Sequence, residues 1–127
     1  MDPLVNLLTM LRLPFAAALV LSTLIRKGRP LALNELAEAT GYAKSHLSSA
    51  LRLLEEKCLI ERIRVRGRKY LFRAKSGSVI SLLREHLGEI RAYLRFVANE
   101  FEDEDVLNAV RMLENELRSL LSRLEGV

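Results

Sequence analysis

The chain has 127 residues, half of them hydrophobic, and a formal net charge of +4 at pH 7. A chain of this length buries one hydrophobic core but hardly two, which predicts one small domain with extensions. The single cysteine, Cys58, excludes an internal disulfide and indicates a reducing compartment. We expect its thiol to be buried, and a redox-sensing thiol is the alternative. The uncharged run at residues 13–25 is shorter than the roughly 20 residues of a membrane span, so we expect a cytoplasmic protein with no membrane partner.

The first residues predict a short helix. Asp2 is a preferred N-cap residue, and Pro3 is favoured at the first helical position. The apolar residues that we expect this helix to contribute to a dimer interface are Leu4, Leu7, Leu8 and Leu11.

Residues 34–57 predict two helices joined by a glycine turn. Asn34 is a candidate N-cap, and Glu35 lies in the first turn, where the helix dipole favours negative charge. Gly41 tolerates the left-handed backbone that a sharp turn between helices needs. The second helix runs from about residue 44 to residue 57, and its buried stripe is predicted to be Leu47, Ala50, Leu51 and Leu54.

The opposite face of the second helix carries small or basic residues. Such side chains suit a helix that enters the major groove of DNA and touches base edges and phosphates. The predicted DNA contacts on this face are Lys44, Ser45, His46, Ser48, Ser49 and Arg52. An ordinary solvated helix face is the alternative for this pattern considered alone.

Residues 60–73 predict a β-hairpin with a type II′ turn at Gly67-Arg68. This turn pairs Arg66 with Lys69 and Ile63 with Phe72. The pairing makes one face apolar throughout, and a shift of one residue would break that pattern. The apolar residues of this face are Ile63, Val65, Tyr70 and Phe72.

The same hairpin exposes a dense group of cations that only Glu61 offsets. Like charge at this density costs self-repulsion unless a polyanion relieves it, so we predict contact with double-stranded DNA. The predicted DNA contacts of the hairpin are Arg62, Arg64, Arg66, Arg68 and Lys69. Residues 1–75 carry a net charge of +8 and residues 76–127 carry −4, so the basic part of the chain coincides with these elements.

The stretch LNELAEATG at residues 33–41, with LRLLEEK at residues 51–57 and Leu59-Ile60 after it, resembles winged helix-turn-helix transcription regulators. The similarity is greatest to the MarR-like and TrmB-like groups and their archaeal relatives, and it covers about residues 13–74. It implies that residues 14–27 form the first core helix and that residues 31–33 form a strand that joins the wing. The family usually has glycine where Cys58 stands. Either Cys58 takes a left-handed conformation or the helix ends differently.

After the Ser-Gly-Ser break at residues 76–78, apolar residues follow the alternating steps of three and four that mark a heptad seam. One seam runs from Ile80 to Phe101 and a second from Val106 to Leu124, out of phase with the first. These seams expose more leucine side chains than a small winged domain can cover. A DNA-binding protein with two-fold symmetry also spans two half-sites, so we predict a homodimer. The candidate interface residues are Leu4, Leu8, Leu83, Leu87, Ile90, Leu94, Val97, Phe101, Leu113, Leu117 and Leu120. An intramolecular helical hairpin that caps the winged domain is the alternative.

The sequence offers little for catalysis. His46 and His86 lie in different modules without a metal-ligand cluster, and no phosphate-binding glycine loop exists, so we expect no catalytic residue, metal or cofactor. No residue set points to a small-molecule effector. The predicted fold is mainly α-helical with a small β-wing, namely a winged helix-turn-helix over residues 1–75 and a helical dimerisation region over residues 76–127. The predicted function is a dimeric, sequence-specific transcription regulator. A low-specificity DNA-architectural protein and a winged-helix protein-interaction module are the alternatives.

Overall fold

The computed structural model describes residues 2–125, and the chain divides into two compact units that meet between Ser78 and Val79. Unit 1 contains four helices and three strands: α1 (Pro3–Met10), α2 (Phe15–Lys27), β1 (Leu31–Ala32), α3 (Leu33–Thr40), α4 (Lys44–Glu56), β2 (Ile60–Arg66) and β3 (Lys69–Ala74). Unit 2 contains α5 (Ser78–Ala98), which begins at the boundary, and α6 (Glu104–Leu124). The strands form an antiparallel sheet in the order β1-β3-β2. The predicted fold class, a mainly helical winged helix-turn-helix, is confirmed.

Helix α2 is the centre of unit 1, since α1, α3, α4 and β3 all pack against it. The absence of charge over residues 15–25 of this helix is explained by this position, because Val20, Leu21 and Leu24 are almost completely buried. Leu47 and Leu54 of α4 are fully buried as well. Burial of one such side chain contributes roughly 1.5–3 kcal/mol, so this cluster supplies much of the stability of unit 1.

Helix α1 is fixed to α2 through its N-cap residue. Asp2 accepts a hydrogen bond from the Leu4 backbone N–H (2.9 Å) and another from the Ser22 hydroxyl (2.9 Å), and it forms an ion pair with Arg26. These donors, the Arg26 guanidinium first among them, lower the pKa of the Asp2 carboxyl from 3.8 to about 2. Leu8 is completely buried within the single chain. It therefore has no free surface for a partner, contrary to the expectation that it lies at a dimer interface.

Helix α3 begins two residues earlier than predicted. Its N-cap is Ala32 rather than Asn34, because β1 leads directly into the helix. The Glu35 carboxylate accepts a hydrogen bond from the Ala32 N–H (3.0 Å), which caps the helix from within its first turn. This bond, together with Arg29, lowers the pKa of Glu35.

A residue with left-handed backbone lies on each side of α4. Gly41 has φ of +78° and makes the turn from α3, as predicted. Cys58 follows the last turn with φ of +60°, so the first of the two expected alternatives, a left-handed Cys58, is the one that the structure has. The Cys58 N–H donates to the Glu55 carbonyl (3.0 Å) and the Leu59 N–H to the Leu54 carbonyl (2.9 Å), which is a Schellman motif. The expectation that Cys58 is buried is wrong: the side chain is exposed at this helix end.

The wing, defined as β2, β3 and the turn between them, differs from the predicted register by one residue. Arg66 pairs with Lys69 as expected, but an irregularity between Arg64 and Arg66 leaves Val65 without a partner. Phe72 therefore faces Arg62 instead of Ile63. The predicted apolar face does not exist in that form, since Phe72 is buried while Val65 is half exposed. The positive φ of Gly67 (+53°), without one at Arg68, agrees with a type II′ turn.

Unit 2 is an antiparallel helical hairpin. Arg91 and Arg95 of α5 both reach Glu114 of α6 (3.0 and 3.1 Å), and these bonds lower the pKa of Glu114. Near the other end of the hairpin, Arg84 Nη2 donates to the Leu124 carbonyl oxygen (2.6 Å). Phe101 lies in the loop between the helices, so the predicted first seam extends too far. None of the helices over residues 2–125 is both long enough and apolar enough to span a membrane.

Candidate nucleic-acid interface

Helix α4 separates its two faces as the sequence predicts. Its apolar stripe is buried in unit 1, whereas the whole predicted DNA-contacting set on this helix is exposed. The exposed residues are Lys44, Ser45, His46, Ser48, Ser49 and Arg52. A continuous polar surface, broad enough to meet another macromolecule, therefore covers the outer side of α4.

The N-terminal end of α4 leaves backbone donors available. Its N-cap residue is Ala43, which has no side-chain hydrogen bond to the first turn. The unpaired N–H groups and the positive end of the helix dipole favour an anion such as a DNA phosphate. Lys44, at the first position of the helix, adds a charge of the same sign.

An aromatic pair joins the turn before α4 to the first turn of the helix. The rings of Tyr42 and His46 are 4.6 Å apart between centroids and are tilted by 34°. The Tyr42 backbone N–H also donates to the Thr40 hydroxyl (3.3 Å), which anchors the turn before the helix. Sequence reasoning missed Tyr42, because this residue precedes the helix and the four-residue spacing rule applies only within one helix. The pair restricts the direction in which the imidazole can point.

The wing cations fall into two groups. Arg66 and Arg68, at the tip, have no hydrogen-bond or ion-pair partner among residues 2–125. Arg64 is held locally, since its Nε donates to the Gly67 carbonyl oxygen (2.7 Å). Arg62 is engaged differently, because it forms an ion pair with Glu55 of α4 (2.9 Å). The free cations thus concentrate at the turn, where a polyanion can reach them.

A groove of about 500 Å³ separates α4 from the wing. Ser48 and Arg52 line it from the helix, and Arg62, Arg68 and Lys69 line it from the wing. Glu55 is its one acidic lining residue. Both predicted DNA-contacting elements therefore border the same positively charged depression.

The described residues contain no cluster of three His, Cys, Asp or Glu side chains that could hold a metal ion.

The predicted dimer-interface residues differ in exposure. Leu4, Leu83, Leu87, Leu94, Val97, Leu117 and Leu120 are half-buried in the single chain, whereas Ile90, Phe101 and Leu113 are exposed. Three further large apolar side chains of unit 2 are also exposed, namely Tyr93, Phe96 and Met112. Unit 2 therefore presents apolar surface to solvent along both of its helices.

Comparison with known proteins gives a family-model match over part of the chain and a similar fold. Residues 13–69 match the MarR family model. No curated protein sequence matches the chain. The crystal structure of a transcriptional regulator superposes with a TM-score of 0.64 at 18% identity, covering 97% of this chain and 88% of that one.

Two structures of the Staphylococcus aureus protein MepR are also similar. A mutant MepR from a multidrug-resistant clinical isolate gives a TM-score of 0.52 at 21% identity, with 93% of this chain and 83% of MepR covered. The MepR–DNA complex gives a TM-score of 0.51 at 22% identity, covering 89% of this chain and 83% of MepR. At these identities the likeness concerns the fold.

Proposed function

We propose that this chain, whose residues 13–69 match the MarR family model, is a dimeric, sequence-specific DNA-binding transcription regulator. The observation that carries the proposal is the groove between α4 and the wing, which both predicted DNA-contacting elements border with basic residues. MepR, a protein of similar fold, has been crystallised in complex with DNA. The proposal extends that kind of partner to this chain.

In the proposed complex, α4 enters the major groove of a DNA duplex. Ser45, Ser49 and Arg52 are exposed and short or flexible enough to reach base edges, whose donor and acceptor patterns differ among all four base pairs. The Ser48 hydroxyl donates to the Lys44 carbonyl oxygen (3.0 Å) and is therefore available chiefly as an acceptor. We assign the recognition of base sequence to α4, because only the major groove presents a different donor and acceptor pattern for each base pair.

The wing contributes affinity rather than sequence reading. Arg66 and Arg68 have no internal partner among the described residues to give up, so phosphate contacts do not cost them an ion pair. A wing beside a duplex meets the sugar-phosphate backbone or the narrow minor groove. Neutralised phosphates release counterions, which makes this part of the affinity strongly dependent on salt.

The dimer is proposed to form through one apolar side of unit 2. Arg91 and Glu114 mark the sides of α5 and α6 that face each other. Ile90 and Leu113 each precede one of these residues, and one residue of a helix turns it by about 100°. Because the helices are antiparallel, both steps lead to the same side of the hairpin. Residues from both predicted seams thus share one surface, and homodimers are typical of the family.

One comparison of binding affinities tests the proposal. Duplexes enriched from a genomic fragment pool by binding to the protein are compared with random duplexes of equal length, at one fixed salt concentration. We expect at least a thousandfold tighter binding to the enriched duplexes, the usual lower bound for specific regulators. Equal affinities would instead support the low-specificity architectural protein. Absence of binding to either duplex would support the protein-interaction module and refute the proposal.

A further inference from the structure

Arg62 is engaged on both sides of the groove in unit 1. Its Nη2 donates to Glu55 Oε1 in the last turns of α4 (2.9 Å). Its Cζ also lies 5.0 Å from the ring centroid of Tyr70 and 5.4 Å from that of Phe72 on β3. One guanidinium thus contacts α4 through an ion pair and the wing through two aromatic rings.

The irregular register of the wing creates this arrangement. Because Val65 has no partner across the sheet, Arg62 faces Phe72 and Arg64 faces Tyr70. Without the irregularity, Ile63 would face Phe72, and the guanidinium would point to the other side of the sheet, since neighbouring residues of a strand point in opposite directions. The local break in pairing therefore directs Arg62 toward α4.

The charge of Arg62 is already compensated, in contrast to the charges of Arg66 and Arg68. A phosphate contact by Arg62 would require the guanidinium to leave Glu55 and the two rings. A planar guanidinium that forms an ion pair and stacks on aromatic faces is held in one orientation. The Arg62 guanidinium is therefore better suited to fixing the distance between α4 and the wing than to binding a phosphate as a mobile side chain.

We propose that Arg62 is a positioning residue that holds the wing at a fixed distance from α4, instead of one of the cations that touch DNA. This inference rests on the proposed function, because the spacing matters when α4 and the wing must meet one duplex together. A displaced wing loses register with the phosphates beside the base pairs that α4 reads. Arg62 therefore determines specificity indirectly, through the geometry of the groove.

The decisive measurement is the slope of log K against log salt on a random-sequence duplex. Arg62→Met keeps a long side chain without its charge, and Arg66→Ala is the matched loss of one wing cation. We expect Arg66→Ala to flatten the slope by about 0.9 for each protomer and Arg62→Met to leave it at the wild-type value. An Arg62→Met slope that flattens as much as the Arg66→Ala slope would show that Arg62 neutralises a phosphate and would overturn the inference.

The second measurement uses the ratio of affinities for enriched and random duplexes. Arg62→Met is expected to lower this ratio roughly fivefold, from the loss of about 1 kcal/mol of positioning contacts. Glu55→Gln keeps the Arg62 charge but removes its ion-pair partner on α4, and it should lower the ratio in the same direction. An unchanged ratio in both variants would refute the positioning role.

A measurement without DNA separates this inference from the proposed function. The ring currents of Tyr70 and Phe72 should shift the side-chain Hδ protons of Arg62 upfield relative to those of Arg66 in the NMR spectrum of the free protein. Amide exchange in β2 and β3 should be faster in Arg62→Met than in Arg66→Ala. If no duplex binds, the proposed function fails, and these two readings still decide whether Arg62 holds the wing. Equal Hδ shifts for Arg62 and Arg66, together with equal amide exchange in the two variants, would refute the positioning role of Arg62.

Discussion

The two units of the chain differ in how completely they bury their apolar residues. The described part of unit 1 buries 18 hydrophobic residues almost completely, whereas the described part of unit 2 buries two, Leu82 and Val110. Unit 2 nevertheless has two helices of 21 residues each, with large apolar side chains exposed on both. Its sequence is as regular as that of unit 1, so the difference does not come from a weaker hydrophobic pattern.

A single hairpin cannot surround its own apolar residues, because each helix has only one neighbour in the pair. A unit in which several elements pack around a central helix can do so, and α2 is that helix in unit 1. Unit 1 thus covers its own apolar residues, and we propose that unit 2 is half of an interface. Charge follows the same division, with excess cations in the first part of the chain and excess anions in the second.

The largest expected effect is on dimerisation, through the side of unit 2 that carries Ile90 and Leu113. Ile90→Glu combined with Leu113→Glu should dissociate the dimer, since buried unpaired carboxylates cost several kcal/mol and about 3 kcal/mol already weakens association more than a hundredfold. Both side chains are exposed in the single chain, 38% and 50%, so the hairpin itself should survive. Light scattering reports the mass, and circular dichroism reports the retained helix content.

Met112→Glu is the control for this experiment. Met112 is 62% exposed but lies two residues before Glu114, about 200° around α6 and away from the proposed side. The variant should remain dimeric. A wild-type chain that is monomeric at tens of micromolar would contradict the interpretation of unit 2 as half of an interface, and a dissociated Met112→Glu variant would relocate that interface.

The second prediction concerns the free cations of unit 1. Arg66→Ala combined with Arg68→Ala in both protomers should flatten the slope of log K against log salt by roughly 2 to 4 units. Folding should be unaffected, because neither side chain has an internal partner among the described residues. Arg111→Ala combined with Arg123→Ala removes the same charge from unit 2 and should leave the slope nearly unchanged. Equal flattening by both pairs would mean that general charge, not the wing, controls binding.

Local sequence signals predicted much of unit 1. The apolar period of α4, the glycine turn before it and the two-residue turn of the wing depend on neighbours a few residues apart, and the structure has all three. The outer face of α4 follows from the same period. Whether its residues contact DNA stays a prediction, because exposure alone does not identify a partner.

The errors arose where the outcome depends on distant contacts. The wing register departs from the predicted one at the irregularity between Arg64 and Arg66, and it brings Arg62 against Phe72 and Glu55, contacts that residue alternation cannot show. Leu8 belongs to an amphipathic stripe that fits a partner or the chain's own core equally well, and here it packs in the core. Phe101 continues the spacing of the first seam, but Asp103 begins a new helix by accepting a hydrogen bond from the Asp105 N–H (2.8 Å).

The third prediction tests whether α4 reads sequence. Ser45→Ala should weaken binding to enriched duplexes by about 1 to 3 kcal/mol, the value of a good base contact, with little change on random duplexes. Ser48→Ala should cost less, because its hydroxyl proton is already donated to the Lys44 carbonyl. Isotherms for both duplexes decide the matter. Equal losses on the two duplexes would show that Ser45 only positions the DNA backbone.

The smallest effect distinguishes the units by their response to acid. Asp2 in unit 1 has a pKa of about 2, because Arg26, Leu4 and Ser22 donate to it, and the pKa of Glu114 in unit 2 is lowered from 4.5 by Arg91 and Arg95. A carboxyl with a depressed pKa in the folded state stabilises the fold fully above its unfolded pKa and loses that contribution as the pH falls. The loss therefore begins near 4.5 for the hairpin and near 3.8 for the attachment of α1, where it ends near pH 2.

Carboxyl NMR titration checks this order directly. The Asp2 midpoint should lie near 2 in the wild type and return toward 3.8 in Arg26→Gln, since Arg26 is the principal cause of the shift. Arg29→Gln is the matched control, because Arg29 pairs with Glu35 instead, and it should leave the Asp2 midpoint unchanged. Amide exchange should increase in α5 and α6 at a higher pH than in α1. If exchange instead increases first in α1, the stability of unit 1 depends on the Asp2–Arg26 ion pair more than the stability of the unit 2 hairpin depends on Glu114.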